Sequence, residues 1–255
     1  MTGNFHGRNS VRCALLIVLV FCTLLVAPVA WSQGEYQPWQ LASIPSVGRF
    51  DYEVIREGEK IGTHSVTFRH DGRHLTISTQ TDIAVALLGI TLYRFHYEAE
   101  EDWFDGRLTR LTSQTDKDGV RLEVDLGLAR GRIHGTCNGS TLDLPADLLP
   151  ASAWHPNVVH VSILFDQYNC VERQVHAVDL GIESTFVKGL ELTSRHYVIS
   201  GQLRRDIWYG PQGQPVQVRF PAKDGSDITF VLLVPSAAPI VAAQHASTSP
   251  VRRAR

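Results

Sequence analysis

Residues 91–106 read TLYRFHYEAEEDWFDG, and this stretch decides the fold. Its apolar side chains recur with a period of two, and they are Tyr93, Phe95, Tyr97, Ala99 and Trp103. The positions between them carry charge or an imidazole: Arg94, His96, Glu98, Glu100 and Asp102. A period of two with one apolar face indicates an antiparallel strand that lies between a core and water. Asp105-Gly106 then supplies a hairpin turn, because glycine adopts the positive φ that such turns need.

The same alternation and the same kind of turn recur along the chain. Further turns are predicted at Glu57-Gly58, Asp71-Gly72, Asp118-Gly119, Asn138-Gly139, Gln212-Gly213 and Asp224-Gly225. Strands are predicted at residues 49–57, 60–70, 73–88, 91–104, 107–117, 119–128, 130–136, 182–188, 190–200, 203–210, 215–221 and 226–234. Turns at such short intervals indicate consecutive hairpins. The predicted fold class is therefore all-β, a single antiparallel meander of about eleven or twelve strands.

Residues 144–169 interrupt this pattern. The segment contains Pro145, Pro150 and Pro156. We interpret it as one irregular crossover that carries a short helix around residues 157–165. A meander with one apolar face must hide that face, by closing into a barrel or by curling as a strongly curved half-barrel around the crossover. The charged faces of strands 91–104 and 119–128 favour a soluble barrel over a transmembrane one, whose outer band is apolar.

Residues 1–32 have the features of a secretory signal peptide. Arg8 and Arg12 precede the uncharged run 13–27, and Ala30-Trp31-Ser32 offers a cleavage site with small residues. An uncleaved anchor is the alternative, although the run is short for a hydrocarbon core of about 30 Å. We expect a periplasmic or secreted protein that is not transmembrane after signal cleavage.

The rest of the chain divides into three parts. Residues 33–48 are predicted to be an N-terminal linker, and residues 49–234 to be a single β-barrel-like domain. Residues 235–255 are rich in alanine, serine and proline without a periodic apolar pattern, which is typical of a disordered tail.

Charge and motifs exclude several classes of function. The chain has 24 basic and 26 acidic residues, so it lacks the positive excess that a nucleic-acid partner requires. It contains no dinucleotide fingerprint, P-loop, metalloprotease motif or nucleophile elbow, so we predict no catalytic residues, no cofactor and no metal. A hydrolase or metal enzyme would need His155 or His196 beside a carboxylate or another histidine inside a pocket.

Cys137 and Cys170 are the two cysteines that remain after signal cleavage. In an oxidising compartment, two such cysteines often form one disulfide. Two buried free thiols are the alternative.

The inward aromatic row is the candidate lining of an internal pocket. This row comprises Tyr93, Phe95, Tyr97 and Trp103. Pockets for apolar ligands are mostly apolar with a few polar groups, so a cavity for a lipid fits this row, and an ordinary packed core is the alternative. The candidate set also includes Trp154, His155, Trp208 and Arg219.

Glu101 has the parity of the aromatic row, so its carboxylate is predicted to face inward. A buried carboxylate needs a partner. The candidates are Arg110, Arg195 and Arg219, and the sequence does not choose among them.

Several motifs resemble those of a known family. They are Tyr52-Glu53-Val54, Gly106-Arg107-Leu108, Ala153-Trp154-His155-Pro156, the HYVISG run at residues 196–201 and the VRFPAKDGS run at residues 218–226. On these motifs the chain resembles the bacterial secreted family called domain of unknown function 6134, over about residues 50–234. It is also distantly similar to envelope family 3108. The resemblance implies an exported β-protein, and no catalytic residue carries over, since the family has no assigned activity.

Two functions are expected on these grounds. The first is a non-catalytic cell-envelope protein that binds an apolar or amphipathic ligand, a small molecule or a lipid, inside its β-barrel. The second is a structural or interaction module of the envelope, with a filled barrel and a protein partner on its surface.

Overall fold

A computed structural model describes residues 48–87 and 90–233, and most of these residues belong to strands. The strands are β1 (Arg49–Arg56), β2 (Glu59–Asp71), β3 (His74–Leu87), β4 (Ile90–Phe104), β5 (Arg107–Lys117), β6 (Val120–Ala129), β7 (Arg132–Cys137), β8 (Ser140–Pro145), β9 (Leu149–Pro150), β10 (Ile163–Asp166), β11 (Val171–Val187), β12 (Leu190–Gly201), β13 (Arg205–Tyr209), β14 (Pro215–Pro221) and β15 (Asp227–Leu232). One 3-10 helix, Pro156–Val159, lies in the crossover between β9 and β10. The predicted signal peptide and C-terminal tail lie outside the described residues.

All fifteen strands form one sheet. The first described strand, β1, lies in the middle of this sheet, and the following strands run in order to one edge at β8. The chain then crosses to the opposite edge at β9 and returns to the middle, where β15 pairs antiparallel with β1. Only β9 and β10 pair in parallel among the described strands. The predicted all-β antiparallel fold is confirmed.

The sheet is open, with β8 and β9 as its edges, and it curls into a half-barrel. A disulfide joins Cys137 in β7 to Cys170, just before β11, with the two Cα atoms 6.2 Å apart. The curl therefore brings the two ends of the sheet close together. The two edge strands do not pair with each other. β8 ends at Pro145, and β9 consists of two residues including Pro150. Proline disfavours such pairing because it has no N–H to donate to a strand ladder.

The strand count is higher than predicted because short strands lie in the crossover and directly before it. The three additional strands are β8, β9 and β10. The predicted helix at residues 157–165 is wrong in extent, since only Pro156–Val159 is helical and Ile163–Asp166 is a strand. β9 and β10 have two and four residues, which is too short to show a period of two. β8 has six residues and was not predicted, and the predicted strand at residues 182–188 is wrong in extent, since β11 begins at Val171.

The hairpin turns follow from their residue types. Asp118 and Gly119 have φ values of 52° and 85°, and Asn138 and Gly139 have 46° and 78°. Two successive positive φ angles define the turn that matches the right-handed twist of the strands.

The crossover fills part of the concave side of the sheet. Trp154 is buried there, with ring centroids 5.5 Å from Trp103 and 5.7 Å from Phe68, both in edge-to-face geometry. Such aromatic pairs add specific attraction to the burial of a large apolar area. The core is therefore built from the inner face of the sheet together with its own crossover.

The hairpin of β11 and β12 belongs to the same sheet, and its tip reaches across to β1. Its register shifts between Asp179 and Gly181. Lys188 at its tip forms an ion pair with Glu53 of β1, four strands away from β12 in the sheet. Among the described residues, no helix is long and apolar enough to cross a membrane.

Candidate functional site

A cavity of about 280 Å³ lies between the inner face of the sheet and the crossover. The inner faces of β1–β4 and β13–β15 form most of its wall, and crossover residues close it on one side. Its apolar surface includes Ile83, Phe95, Val218, Phe220 and Phe230. Several of these side chains are only half-buried, so the cavity has an open mouth at this end of the half-barrel.

Two basic side chains enter this apolar wall. Arg205 donates from Nη1 to the carbonyl oxygen of Ala151 at 2.7 Å. His64 lies 2.7 Å from the Thr81 hydroxyl through Nδ1. Burial lowers the pKa of His64 to about 3, with a smaller contribution from the positive charge of Arg205. His64 is therefore neutral, and Arg205 carries the positive charge of the cavity.

Asp166 and Tyr168 complete the polar part of the wall. The Asp166 carboxylate accepts hydrogen bonds from Arg173 Nε at 3.0 Å and from Asn169 Nδ2 at 2.9 Å. Burial raises the pKa of Tyr168 to about 12, so its hydroxyl stays protonated. The negative charge of Asp166 is therefore matched by Arg173.

Glu101 anchors the crossover to the sheet from behind the cavity. Its side chain is 1% exposed. Oε2 accepts a hydrogen bond from Trp103 Nε1 at 3.0 Å, and Oε1 accepts one from Ser152 Oγ at 2.9 Å. Trp154 Nε1 makes a longer contact with Oε1 at 3.5 Å. Ser152 and Trp154 also line the cavity, so Glu101 holds part of its wall in place.

None of the three candidate arginines pairs with Glu101. They pair with aspartates instead: Arg110 with Asp125, Arg195 with Asp179 and Arg219 with Asp206. Neutral donors replace the expected ion pair, and burial raises the pKa of Glu101 to about 7. Desolvation disfavours the ionised form more than the three donors favour it.

The structure brings some of the predicted pocket residues together. Tyr93, Phe95 and Trp154 line the cavity. Tyr97, Trp103 and His155 lie in the buried core beside it, with Tyr97 packed on Tyr168 at 4.5 Å and His155 packed on Trp103 at 5.1 Å.

The other two predicted residues lie away from the cavity. Arg219 stacks on the Trp208 ring at 5.2 Å, and Trp208 stacks on His196 at 4.1 Å. Both positions alternate with inward residues, Ile207 in β13 and Val218 in β14, so the period of two directs them outward.

Arg205 is a polar cavity residue that no sequence motif indicates. It shares its parity in β13 with Ile207 and Tyr209, both of which are buried. The parity argument that placed Glu101 inward also places Arg205 inward.

His196 lies beside two carboxylates, as the enzyme hypothesis requires, but outside the described cavities. Its Nε2 lies 3.0 Å from Asp206 Oδ1, and its Nδ1 lies 3.2 Å from Glu183 Oε1. His196 is absent from the walls of the described cavities. Within residues 48–87 and 90–233, no three histidine, cysteine or acidic side chains are grouped to hold a metal ion. The cluster links β12 to its neighbours β11 and β13.

A wide polar groove of about 1200 Å³ lies along strands β1–β7. Its carboxylates are exposed, and some pair with neighbouring arginines, as Glu100 does with Arg69 at 3.4 Å. Exposed pairs of this kind are strongly hydrated and screened. The smaller apolar cavity is therefore the better candidate for a ligand site.

The Glu101→Gln variant is expected to change the pH dependence of stability. Because burial raises the folded-state pKa of Glu101 from 4.5 to about 7, the folded protein holds a proton that the unfolded chain has released across this range. Stability conferred by that proton is present below about pH 4.5 and is lost as the pH rises to about 7, with a slope of up to about 1.4 kcal/mol per pH unit. The glutamine variant should lose this contribution in urea titrations.

The matched control is Glu100→Gln, which changes an exposed carboxylate on the opposite face of β4. It should leave the pH slope between 4.5 and 7 unchanged. Equal slopes for the wild type and Glu101→Gln would contradict the assignment.

An open antiparallel sheet curled around its crossover, with an apolar internal cavity, defines a β half-barrel protein with an interior pocket. A family model described as Domain of unknown function (DUF6134) matches residues 52–233, and the chain belongs to this family. No curated protein matches the chain.

Proposed function

We propose that this protein is an exported component of the cell envelope, periplasmic or secreted, and that it binds an apolar or amphipathic small molecule or lipid without catalysing a reaction. The observation that carries the binding proposal is the apolar cavity of about 280 Å³ inside the half-barrel. The signal-like sequence at residues 1–32 supports export. The Cys137–Cys170 disulfide is consistent with an oxidising compartment.

The cavity has the composition of a ligand site rather than of a packing defect. Aromatic and aliphatic side chains form most of its wall, and a few polar groups converge on it. Protein interiors are close-packed, so a cavity of this size would forfeit many contacts unless it has an occupant. Each buried methylene of a ligand contributes about 0.8 kcal/mol.

The Thr79→Phe variant is expected to weaken binding by at least about tenfold. Thr79 lies on the inner face of β3 and lines the cavity, so a phenyl ring there occupies the space of several ligand methylenes. Isothermal titration with 1-decanol measures the effect, and the wild-type Kd is expected on the order of 10 μM.

The control for this variant is Gln80→Phe, because the side chain of Gln80 is exposed on the opposite face of the same strand. It should bind 1-decanol as the wild type does. Native mass spectrometry of protein purified from envelope extracts is the second measurement, and it should detect a bound small molecule. Absence of any bound molecule, together with no 1-decanol binding by the wild type, would refute the proposal.

An interaction module is the second candidate, and one observation favours it. The hairpin of β11 and β12 exposes large apolar side chains: Leu180, Ile182, Phe186 and Leu190 are each at least half exposed. Contiguous exposed apolar surface is a feature of protein–protein sites. In vivo crosslinking followed by pull-down separates the two candidates, because only this one requires a reproducible protein partner.

A further inference from the structure

Arg205 is the charged side chain that the cavity wall leaves without an ion pair. Its Nη1 donates to the Ala151 carbonyl, while its Nε is buried and has no hydrogen-bond partner among the described residues. Asp166, the carboxylate that also lines the cavity, is engaged by Arg173 and Asn169. Asp166 attracts the charge of Arg205 electrostatically but forms its ion pair with Arg173, so the guanidinium of Arg205 remains free of a direct ion pair in the cavity wall.

Such a charge is costly unless it acquires a counter-ion. Burying an ion without a partner is among the most unfavourable events in a protein interior. Most buried groups escape this cost by becoming neutral, as His64 does. Burial also lowers the pKa of Arg205, but a guanidinium remains protonated at any physiological pH. An anion bound in the cavity can therefore pair with Arg205 directly.

We propose that the cavity binds a single-chain amphiphile whose anionic head group, a carboxylate or a phosphate, pairs with the guanidinium of Arg205. Its alkyl chain lies along Phe95, Phe220 and Phe230, which face the cavity from three strands. This assignment rests on the proposed ligand-binding function and specifies its ligand. The planar fork of an arginine matches both head groups, since each offers two oxygens to parallel N–H bonds.

The volume of the cavity limits the length of the alkyl chain that the ligand can have. A water molecule occupies roughly 30 Å³ in the liquid, so 280 Å³ holds about nine non-hydrogen groups. A medium alkyl chain fits this space, with its far end in the open mouth, whereas a lipid with two long chains does not fit.

The test compares four probes that share one decyl-length chain: decanoate, decyl phosphate, 1-decanol and decylammonium. Isothermal titration of the purified protein is expected to show one of the two anions binding about ten- to a hundredfold more tightly than 1-decanol, because a hydrogen bond to a charged group contributes that much. Decylammonium should bind more weakly than 1-decanol. The tighter of the two anions identifies the head group.

Arg205→Gln tests the residue itself. Glutamine removes the charge and keeps an N–H donor on a shorter polar side chain, so the fold is expected to persist at the cost of the Ala151 hydrogen bond, and circular dichroism verifies this. The variant should bind the anions no more tightly than 1-decanol. The control is Arg204→Gln, which removes an exposed charge at the adjacent position and should keep the wild-type preference for the anion.

The outcomes separate this inference from the function on which it rests. If 1-decanol binds and neither anion is preferred, or if Arg205→Gln keeps the preference, the head-group assignment is overturned and the apolar site stands. If none of the four probes binds the wild type, both the assignment and the proposed function are overturned.

Discussion

The Trp154→Ala variant is expected to lose about 3–5 kcal/mol of unfolding free energy, the range measured when a buried tryptophan or phenylalanine is truncated to alanine. Trp154 is 3% exposed and packs edge-to-face on Trp103 and Phe68. It belongs to the crossover, so its ring is a main apolar attachment of that segment to the concave face. Truncation enlarges the cavity that Trp154 lines, and the close-packed interior around it cannot refill the space.

Urea denaturation followed by circular dichroism measures this loss. Trp154→Phe is the matched variant, because it retains one aromatic ring while it removes the second ring of the indole with the N–H that reaches Glu101. It should lose about 1–2 kcal/mol, the cost of an imperfect repacking and of one weakened hydrogen bond. A loss below about 1 kcal/mol for Trp154→Ala would mean that the crossover is not part of the folded core.

Removal of the disulfide by Cys137→Ala with Cys170→Ala is expected to lower the unfolding free energy by roughly 3–4 kcal/mol. The two cysteines are 33 positions apart, and the chain-entropy estimate for a loop of that length gives this value. The structure adds a local consequence: the bond ties β7 to the turn before β11, near the two open edges of the sheet. Those edges have no ladder partner to hold them together once the bond is absent.

Hydrogen exchange locates this second effect. Amides of β7, β8 and β10 should lose protection in the double variant more than amides of β1 and β15 in the centre of the sheet. Reduction of the wild-type protein is the internal control and should reproduce the denaturation midpoint of the double variant. An unchanged midpoint after reduction would show that the curl of the sheet is maintained without the bond.

The strands could be predicted because their information is local. In β4 the alternation of Tyr93, Phe95 and Tyr97 with charged residues is enough to assign a strand and both of its faces. The turns at Asp118-Gly119 and Asn138-Gly139 are equally local, since positive φ angles restrict the residue types. The short strands β9 and β10 could not be predicted, because two to four residues carry no detectable period and their pairing partners are distant.

The candidate site was less predictable than the fold. Parity correctly directs Glu101 and Arg205 inward, but it cannot say what lies across the concave side. The expected partners of Glu101 were arginines, and its donors are Trp103 and Ser152. Ser152 is in the crossover, whose docking position depends on the curvature of the whole sheet.

The sequence by itself determined the strand faces, the hairpin turns and the pair of cysteines available for a disulfide, because each depends on residue type and spacing within short segments. Only the tertiary structure decided that the sheet stays open, that the crossover covers its concave side and that the Nε of Arg205 is left without a hydrogen-bond partner beside a cavity. These features arise from contacts between residues far apart in the chain. Burial and charge compensation are properties of the assembled interior, which no local pattern encodes.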